Sequence, residues 1–230
     1  MNFVEPLVWY IAFLFSATVH EAAHAWTAKL GGDLTAYEGG QVSLDPIPHI
    51  KREPIGMTVL PIITSFITGW PFGYASAPYN PYWASRYPHK AAWMALAGPA
   101  SNFAIVLLCM ATAWLGILFG FFQIPMQVRF TNIVAAGSTD LSGSVAFILS
   151  ILFTLNLVMT ILNLIPLPPL DGSAAITLFM SEEHARNTQE MLNNSPFRFL
   201  GLFLAWKIFD PIFHAVFVLI MNIMYPGSYS

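Results

Sequence analysis

The sequence predicts an all-α polytopic membrane protein, because it is poor in charge and contains three long stretches without any charged residue. Hydrophobic residues make up 56% of the 230 residues and charged residues only 9%, whereas soluble proteins have roughly 25% charged residues. No Asp, Glu, Lys or Arg occurs in residues 54–85, 91–128 or 141–170, and a membrane-spanning helix needs ~20 mostly apolar residues. So few charges could not cover the surface of a soluble protein. We therefore expect a single domain over residues 1–230 that lies in a lipid bilayer.

Net charge and cysteine content argue against a nucleic-acid-binding protein and against a disulfide-stabilised protein. The formal net charge is −3, so the chain has no basic footprint for nucleic acid. The single cysteine, Cys109, lies in an apolar run and leaves no disulfide framework. The seven Trp and eight Tyr residues suit anchoring at the membrane–water interfaces.

Apolar stretches separated by glycine, proline and charge predict a bundle of about 4–6 transmembrane helices. The first helix covers about residues 7–28 and ends before Gly31-Gly32. Further spans cover about residues 91–119 and 144–165, and one kinked span or two short ones lie within about residues 199–225. A short helix is expected over residues 173–180, and a polar connector follows it to Pro196.

The region between the first two long spans is predicted to be irregular. Residues 34–48 have a β-like pattern, because Thr35, Tyr37 and Val42 flank Gly39-Gly40, and this pattern predicts a short β-like re-entrant hairpin after the first helix. Residues 55–70 are apolar but short, and Pro61 interrupts them. Such a segment is typical of a re-entrant or broken helix.

The sequence His20-Glu21-Ala22-Ala23-His24 lies inside the first predicted helix. Residues four apart share one face of a helix, so the two imidazoles point the same way, as two ligands of one zinc ion require. Glu21 is adjacent and can take a proton from a water that the metal activates. Because an acidic residue at membrane depth costs at least ~2.5 kcal/mol, the pattern favours function over a structural role. In that alternative the histidines hydrogen-bond to neighbouring helices and Glu21 is protonated.

A catalytic zinc site needs a third protein ligand and one open coordination position. Asp171 is well placed, because it follows an apolar helix and a proline-rich stretch and precedes Gly172, which permits a tight turn. As an alternative, Asp171 caps the short helix that begins at Ser173. The remaining histidines lie in or near loops or in the C-terminal region: His49, His89, His184 and His214.

Four stretches in this order resemble the site-2 protease family of intramembrane zinc metalloproteases, in its compact bacterial-type branch. They are residues 20–24 (HEAAH), 43–49 (SLDPIPH), 97–102 (AGPASN) and 162–172 (LNLIPLPPLDG). Residues 72–75 (FGYA), followed by Pro78, are similar to a segment of that branch, although Ser76-Ala77 replaces its usual Lys-Pro. The resemblance covers most of residues 16–180, and residues 1–230 leave no room for the PDZ or CBS domains of other branches.

The resemblance implies that one Zn²⁺ ion is held by His20, His24 and Asp171 and that Glu21 is the general base. Asn102 and Asn163 lie in motifs near the site, where either amide would orient the substrate strand or stabilise an oxyanion. Hydrogen bonding between helices is the equally weighted alternative for both.

The implied activity is hydrolysis of a peptide bond in or near a transmembrane segment of a membrane-protein substrate, by a catalytic core at about residues 7–180. The alternative is a catalytically inactive or metal-handling membrane protein of the same fold, which would need the histidines but not Glu21. The oligomeric state does not follow from the sequence.

A shared zinc site also constrains the topology of the bundle. The histidines lie near the end of the first helix and Asp171 lies just past the end of the 144–165 helix, so these two helices are expected to run parallel. Residues 30–90 must then return to the side from which they start. Lys29, Lys51, Arg52, Arg86 and Lys90 would lie on the zinc side and Arg129 on the other. The positive-inside rule therefore predicts a zinc site nearer the cytoplasm of a bacterial plasma membrane.

Overall fold

The computed structural model describes residues 3–137, 140–193 and 198–227. In these residues most of the chain is helical, loops connect the helices, and one antiparallel pair of two-residue strands is present. The helices and strands are, in chain order, α1 (Val4–Gly31), α2 (Thr35–Glu38), α3 (Pro46–Arg52), α4 (Leu60–Thr68), α5 (Pro81–Arg86), α6 (Pro88–Leu118), β1 (Phe122–Gln123), β2 (Ala135–Ala136), α7 (Asp140–Leu164), α8 (Asp171–Ala175), α9 (Glu182–Asn193) and α10 (Arg198–Met224). A π-helical turn (Ile55–Val59) precedes α4, and a 3₁₀ turn (Ile176–Phe179) follows α8.

Within the described residues, three helices are long and apolar enough to cross a membrane. They comprise residues 88–118 of α6, 141–164 of α7 and 200–224 of α10. Helix α1, with 28 residues, is about 42 Å long and also exceeds the ~30 Å of the hydrocarbon core. The predicted all-α membrane fold is therefore confirmed, while the number of about 4–6 spans stays a prediction.

Helices α1 and α6 run antiparallel through the centre of the bundle. Near the end of α1, Nδ1 of His24 lies 2.7 Å from the carbonyl oxygen of Met94, early in α6. Two turns earlier in α1, the carbonyl oxygen of Ser16 accepts a hydrogen bond from Asn102, two turns later in α6. As the residue number falls along α1, it therefore rises along α6.

Helices α6 and α7 also run antiparallel, so α7 is parallel to α1. The amide of Asn102 donates to Oδ1 of Asn156 at 2.8 Å, and the hydroxyl of Thr160 lies 3.5 Å from the carbonyl oxygen of Pro99. This arrangement agrees with the helix directions that a shared zinc site requires.

Residues 53–80 enter the bundle and return to the side from which they start, as predicted. Helix α4 extends along α1 until the rings of Phe66 and Phe3 lie 6.1 Å apart, at the end of α1 that is far from His24. The extended chain that follows returns, and the N–H of Asn80 donates to Oδ2 of Asp33, just past the other end of α1, at 2.7 Å.

The predicted β-like hairpin over residues 34–48 is wrong, because α2, a turn and the start of α3 occupy that stretch. The cause is Asp33, whose Oδ1 accepts hydrogen bonds from the backbone N–H and the Oγ1 of Thr35 at 3.0 and 2.6 Å. This local bonding starts a helical turn. Gln41 then donates its N–H to the carbonyl of Ala36 at 2.9 Å, after Gly40 has turned the chain with a φ of 73°.

The C-terminal third of the chain contains one helix that was not predicted. The short helix expected over residues 173–180 is present as α8 and the 3₁₀ turn, but much of the expected polar connector is helix α9. Residues 194–197 of that connector lie outside the described residues. The last apolar region is one helix, α10, with Pro211 inside it, and residues 200–224 are long and apolar enough for a single span.

The main apolar core lies where α6, α7 and α10 meet. It includes Val106 and Ala113 of α6, Phe153 and Leu157 of α7 and Ile220 of α10, all buried. A second, smaller core packs Trp9 and Phe13 of α1 against α7 and the re-entrant segment. The motif histidines lie on α1 beyond this second core, at the level where the re-entrant chain and α8 converge.

Candidate metal centre

Both motif histidines point into the bundle from one face of α1. His20 and His24 are 5% and 7% exposed, and their ring centroids lie 4.6 Å apart with the planes nearly perpendicular. Their Nε2 atoms are 3.0 Å apart. The one-turn spacing thus brings two potential ligand atoms to a common point, as the helical period predicts.

Asp171 reaches the same point from the segment that follows α7. Its Oδ2 lies 3.1 Å from Nε2 of His20 and 3.4 Å from Nε2 of His24. The alternative role of Asp171 as a helix cap is not found, because Leu170 occupies the N-cap position of α8 and Asp171 is the first helical residue. The carboxylate is therefore directed at the imidazoles.

The outer ring nitrogens determine what the inner ones can do. Nδ1 of His24 lies 2.7 Å from the carbonyl oxygen of Met94, and a carbonyl only accepts, so this nitrogen carries the proton. Nδ1 of His20 lies 2.6 Å from Oδ1 of Asn102, which also only accepts. When each ring is neutral, its Nε2 is then left with a lone pair.

Two imidazole nitrogens and one carboxylate oxygen thus converge on one point. Two imidazole lone pairs and a carboxylate oxygen at separations of 3.0, 3.1 and 3.4 Å repel one another unless a cation lies between them. A tetrahedral ion with bonds of about 2.0–2.1 Å places its ligand atoms about 3.3 Å apart. The spacing and the nitrogen–oxygen donor set therefore fit Zn²⁺.

Gly98 of α6 faces the two imidazoles, and because it has no side chain, the space in front of them stays open. A Cβ at this position would collide with Nε2 of His20 and of His24. Sequence reasoning assigned no role to Gly98, although its motif was noted. The sequence signal available was the Gly98-Pro99 pair inside an apolar helix, where glycine often marks a close approach of another group.

Glu21 lies beside the three converging atoms. It is 5% exposed, and its carboxylate lies within 4.8 Å of ligand atoms of both histidines. Its Oε2 has no hydrogen-bond partner among the described residues. Glu21 also lines a cavity of about 260 Å³, together with His24, Asp171, Ala75 and Ala77.

The two asparagines singled out from motifs differ in their surroundings. Asn102 is fully buried and hydrogen-bonds to His20, Ser16 and Asn156, so the alternative of bonding between helices describes it. Asn163 is half-buried in α7, and its side chain makes no hydrogen bond within the described chain. Asn163 does not line the cavity, so the structure does not bring it into the cluster.

The remaining histidines lie away from this centre. Within the described residues, the group of possible metal ligands formed by His20, Glu21 and His24 includes none of them. Three of them bond elsewhere: His49 with the carbonyl of Ser43, His89 with the carbonyl of Met180, and His184 with the hydroxyl of Ser181.

Residues 75–77 and 79, in a segment with no assigned helix or strand, border the cavity. Tyr74 donates to the carbonyl of Gly56 at 3.1 Å and the carbonyl of Ser76 accepts from Arg52 at 2.9 Å. Among the described residues, the N–H and C=O groups of Ala75 and Ala77 have no hydrogen-bond partner.

Comparison with known proteins agrees with this geometry. The profile of peptidase family M50 matches residues 8–204. The chain belongs to peptidase family M50. The resemblance to site-2 proteases is thereby confirmed, and the matched region of the M50 family includes every residue of the candidate metal centre.

Two M50 relatives are similar to the chain over most of its length. The chain is 34% identical to "Putative zinc metalloprotease YwhC" of Bacillus subtilis, over 70% of the chain and 64% of that protein. It is 26% identical to "Putative zinc metalloprotease Rip2" of Mycolicibacterium smegmatis, over 81% of the chain and 62% of that protein. The chain thus spans less than two thirds of these relatives. No solved structure gives a significant match.

Proposed function

We propose that this chain is an intramembrane zinc metalloprotease that hydrolyses a peptide bond in or near a transmembrane segment of a membrane-protein substrate. The convergence of His20, His24 and Asp171 beside the unpaired carboxylate of Glu21 carries this proposal. Membership of the M50 family and the zinc metalloprotease names of its relatives support it.

The assignment of ligand and base follows from the two carboxylates. Asp171 Oδ2 lies between 3.1 and 3.4 Å from the two Nε2 atoms, so Asp171 would hold one zinc ion together with the histidines. Glu21 lines the cavity, and its buried Oε2 has no hydrogen-bond partner in the described chain, so Glu21 is left as the base. A zinc ion held there would act as a Lewis acid towards water and the substrate carbonyl.

Glu21 moves the protons of the reaction. Its carboxylate accepts a proton from the water that attacks the scissile carbonyl, and it returns this proton to the amine that leaves. Asn163, whose amide is free among the described residues, stays a candidate donor to the substrate.

The substrate would bind as an extended strand along the free edge of residues 74–79. The backbone groups of Ala75 and Ala77 have no partner in the described chain, and both residues line the cavity with Glu21 and Asp171. Addition of a strand to such an edge satisfies backbone groups of both chains. It also presents peptide bonds that a helix would shield, so the transmembrane helix of the substrate must unwind locally.

The zinc side of the bundle would face the cytoplasm of a bacterial plasma membrane. The basic residues of the loops at the end of α1 and before α6 lie on that side, and Arg129 lies on the other, in the loop between α6 and α7. Because basic loop residues favour the cytoplasm, this distribution supports an external N-terminus. The cavity would then open towards the cytoplasmic leaflet.

Replacement of Glu21 tests the function directly. The purified Glu21→Gln variant should bind zinc like the wild type and cleave a reporter transmembrane substrate at least about 100-fold more slowly, since general base catalysis contributes ~10²–10⁴. Glu5→Gln, near the other end of α1, is the matched control and should retain full activity. Cleavage by Glu21→Gln at the wild-type rate would refute the protease assignment, and a wild type that binds zinc without cleaving would indicate a metal-handling protein.

A further inference from the structure

Behind His20 a polar network joins three helices in the interior of the bundle. Its members are Ser16 of α1, Asn102 of α6 and Asn156 of α7, and each is 0% exposed. Buried polar groups at this depth have no water to bond to, so they must satisfy one another. Which group donates and which accepts in each hydrogen bond therefore follows from the backbone carbonyls that the network contacts, because a carbonyl can only accept.

The end on α7 determines the orientation of Asn156. Its Nδ2 lies 2.8 Å from the carbonyl oxygen of Leu152 and 2.9 Å from Oγ of Ser16, and Ser16 Oγ itself donates to the carbonyl of Ala12 at 2.7 Å. Rotation of the Asn156 amide by half a turn would place its oxygen against the carbonyl oxygen of Leu152. Asn156 therefore presents Oδ1 to Asn102.

The same reasoning determines the orientation of Asn102. Its Nδ2 donates to Oδ1 of Asn156 at 2.8 Å and to the carbonyl of Ser16 at 3.3 Å, so both of its N–H groups are used. Its Oδ1 remains, 2.6 Å from Nδ1 of His20. That nitrogen must donate, and in the neutral ring Nε2 keeps its lone pair towards Asp171.

We propose that Asn156 is a positioning residue: through Asn102 it holds His20 in the tautomer whose Nε2 is free to bind metal. The proposal rests on the proposed function for its purpose, but the hydrogen bonds that carry it do not depend on catalysis. Partners of this kind, which orient a metal-ligating histidine, are commonly worth 10–100-fold in metal affinity. Asn156 lies outside the four stretches that carry the resemblance to site-2 proteases, within an apolar helix.

The experiment compares two substitutions in α7. Asn156→Leu keeps the approximate volume and removes every hydrogen bond of the amide. Thr154→Val, two residues earlier, is the structural control, because Thr154 is also 0% exposed and its hydroxyl donates to the carbonyl of Phe130 at 2.8 Å, without a connection to His20. Each purified variant is compared with the wild type by thermal unfolding, by zinc affinity in chelator competition and by the His20 tautomer in the metal-free protein.

The tautomer is measured by NMR of histidine labelled with ¹³C and ¹⁵N, at a pH where the ring is neutral, with the His20 signal identified by its loss in His20→Gln. Asn156→Leu should lower zinc affinity about 10–100-fold and give a mixture of tautomers, while Thr154→Val should change neither. Wild-type affinity and a single Nδ1–H tautomer in folded Asn156→Leu would overturn the proposal, as would an equal loss in Thr154→Val.

A second variant keeps the proposal testable if Asn156→Leu does not fold. Ser16→Ala removes one acceptor of Asn156 but keeps the Ser16 carbonyl that orients Asn102, so a smaller loss of zinc affinity in the same direction is expected. An unchanged tautomer and affinity in Ser16→Ala would then count against the network. Because the tautomer is read in metal-free protein, this result stands whether or not the chain proves to be a protease.

Discussion

Addition of a single methyl group at Gly98 should abolish the metal centre while the helices stay folded. Gly98 lies on α6 opposite the imidazoles, and a Cβ there would collide with Nε2 of both His20 and His24. The space between the three ligand atoms is small, since their separations are 3.0–3.4 Å. A methyl group cannot share that space with an ion.

The size of the effect follows from what the methyl group displaces. Either it occupies the position of the ion, or it pushes one imidazole away and removes one of three protein ligands. Loss of a hydrogen-bonding partner behind a ligand already costs 10–100-fold in affinity. Loss of a ligand should therefore cost at least about 100-fold, which corresponds to about 2.7 kcal/mol.

The matched control is Gly143→Ala in α7, where the added Cβ would meet only Ala136 Cβ at an ordinary distance of 3.7 Å. It makes the same change in helix propensity, which favours alanine by about 1 kcal/mol. Zinc content after dialysis, chelator competition and helicity by circular dichroism distinguish loss of the site from loss of the fold. A folded Gly98→Ala protein that binds stoichiometric zinc with wild-type affinity would refute the placement of the ion.

Three further predictions concern the substrate edge, a loop carboxylate and the topology. Ala77→Pro removes an N–H that has no partner in the described chain and that would bond to the substrate strand. Loss of one hydrogen bond of about 1 kcal/mol should raise KM about fivefold, whereas Ala77→Val, which keeps the N–H, should leave KM unchanged. Equal KM values for the two variants would exclude this edge as the substrate site. Burial alone would raise the pKa of Asp33, but hydrogen bonds from Thr35 and Asn80 outweigh it and hold that pKa below its ordinary value. The Asp33 carboxylate then stabilises the fold above the unfolded-state pKa of about 3.9, and this contribution is lost as the pH falls through the lower folded-state pKa. Asp33→Asn should therefore lower the free energy of unfolding by about 1.5 kcal/mol at pH 7. In thermal unfolding, the difference in stability between variant and wild type should shrink below about pH 3.9. A stability difference that does not depend on pH would contradict this. Reporters fused after Lys51 and after Arg86 should both be cytoplasmic and a reporter after Gln127 external, whereas opposite locations for the first two would contradict the re-entrant segment.

The sequence was sufficient for the parts of the centre that depend on local periodicity. The helical repeat alone places His20 and His24 on one face, and their cost at membrane depth marks them as functional. The third ligand required more, because the residues alone left Asp171 open to a role as a helix cap. The resemblance to a family favoured the metal role. The structure places Leu170, not Asp171, in the cap position, and the ligand role of Asp171 stays a prediction.

The errors arose where short polar interactions outweigh residue propensity. Residues 34–44 contain the β-branched and aromatic residues of a strand, but two hydrogen bonds from Thr35 to Asp33 make the chain helical there. The stretch 182–193 is polar enough to resemble a connector, yet it forms α9 because Ala185 and Gln189, four residues apart, are buried against the bundle. A narrow buried stripe of this kind gives only a weak periodic signal.

The substrate edge and the network behind His20 could not be read from the sequence, since both are products of tertiary packing. The free groups of Ala75 and Ala77 are recognisable only once Gly56 and Arg52 are seen to bond Tyr74 and Ser76. The role of Asn156 depends on helices α1 and α6 lying beside α7, which no single stretch of sequence encodes.

Helix α7 acts on the metal centre from two sides. From behind, Asn156 orients Asn102 and thereby the His20 ring; in front, the chain that leaves α7 delivers Asp171 to the Nε2 atoms. A shift of α7 along α1 by even 1 Å would therefore disturb the tautomer and the third ligand together, because hydrogen bonds lengthened from 2.8 to about 3.8 Å are lost. Ser16 bonds to both asparagines within the same layer and so fixes that register. Apolar contacts hold most of the bundle together, and such contacts tolerate sliding of one helix along another. The polar layer prevents this sliding, and it thereby explains how three potential ligand atoms from two distant segments stay within 3.4 Å of each other.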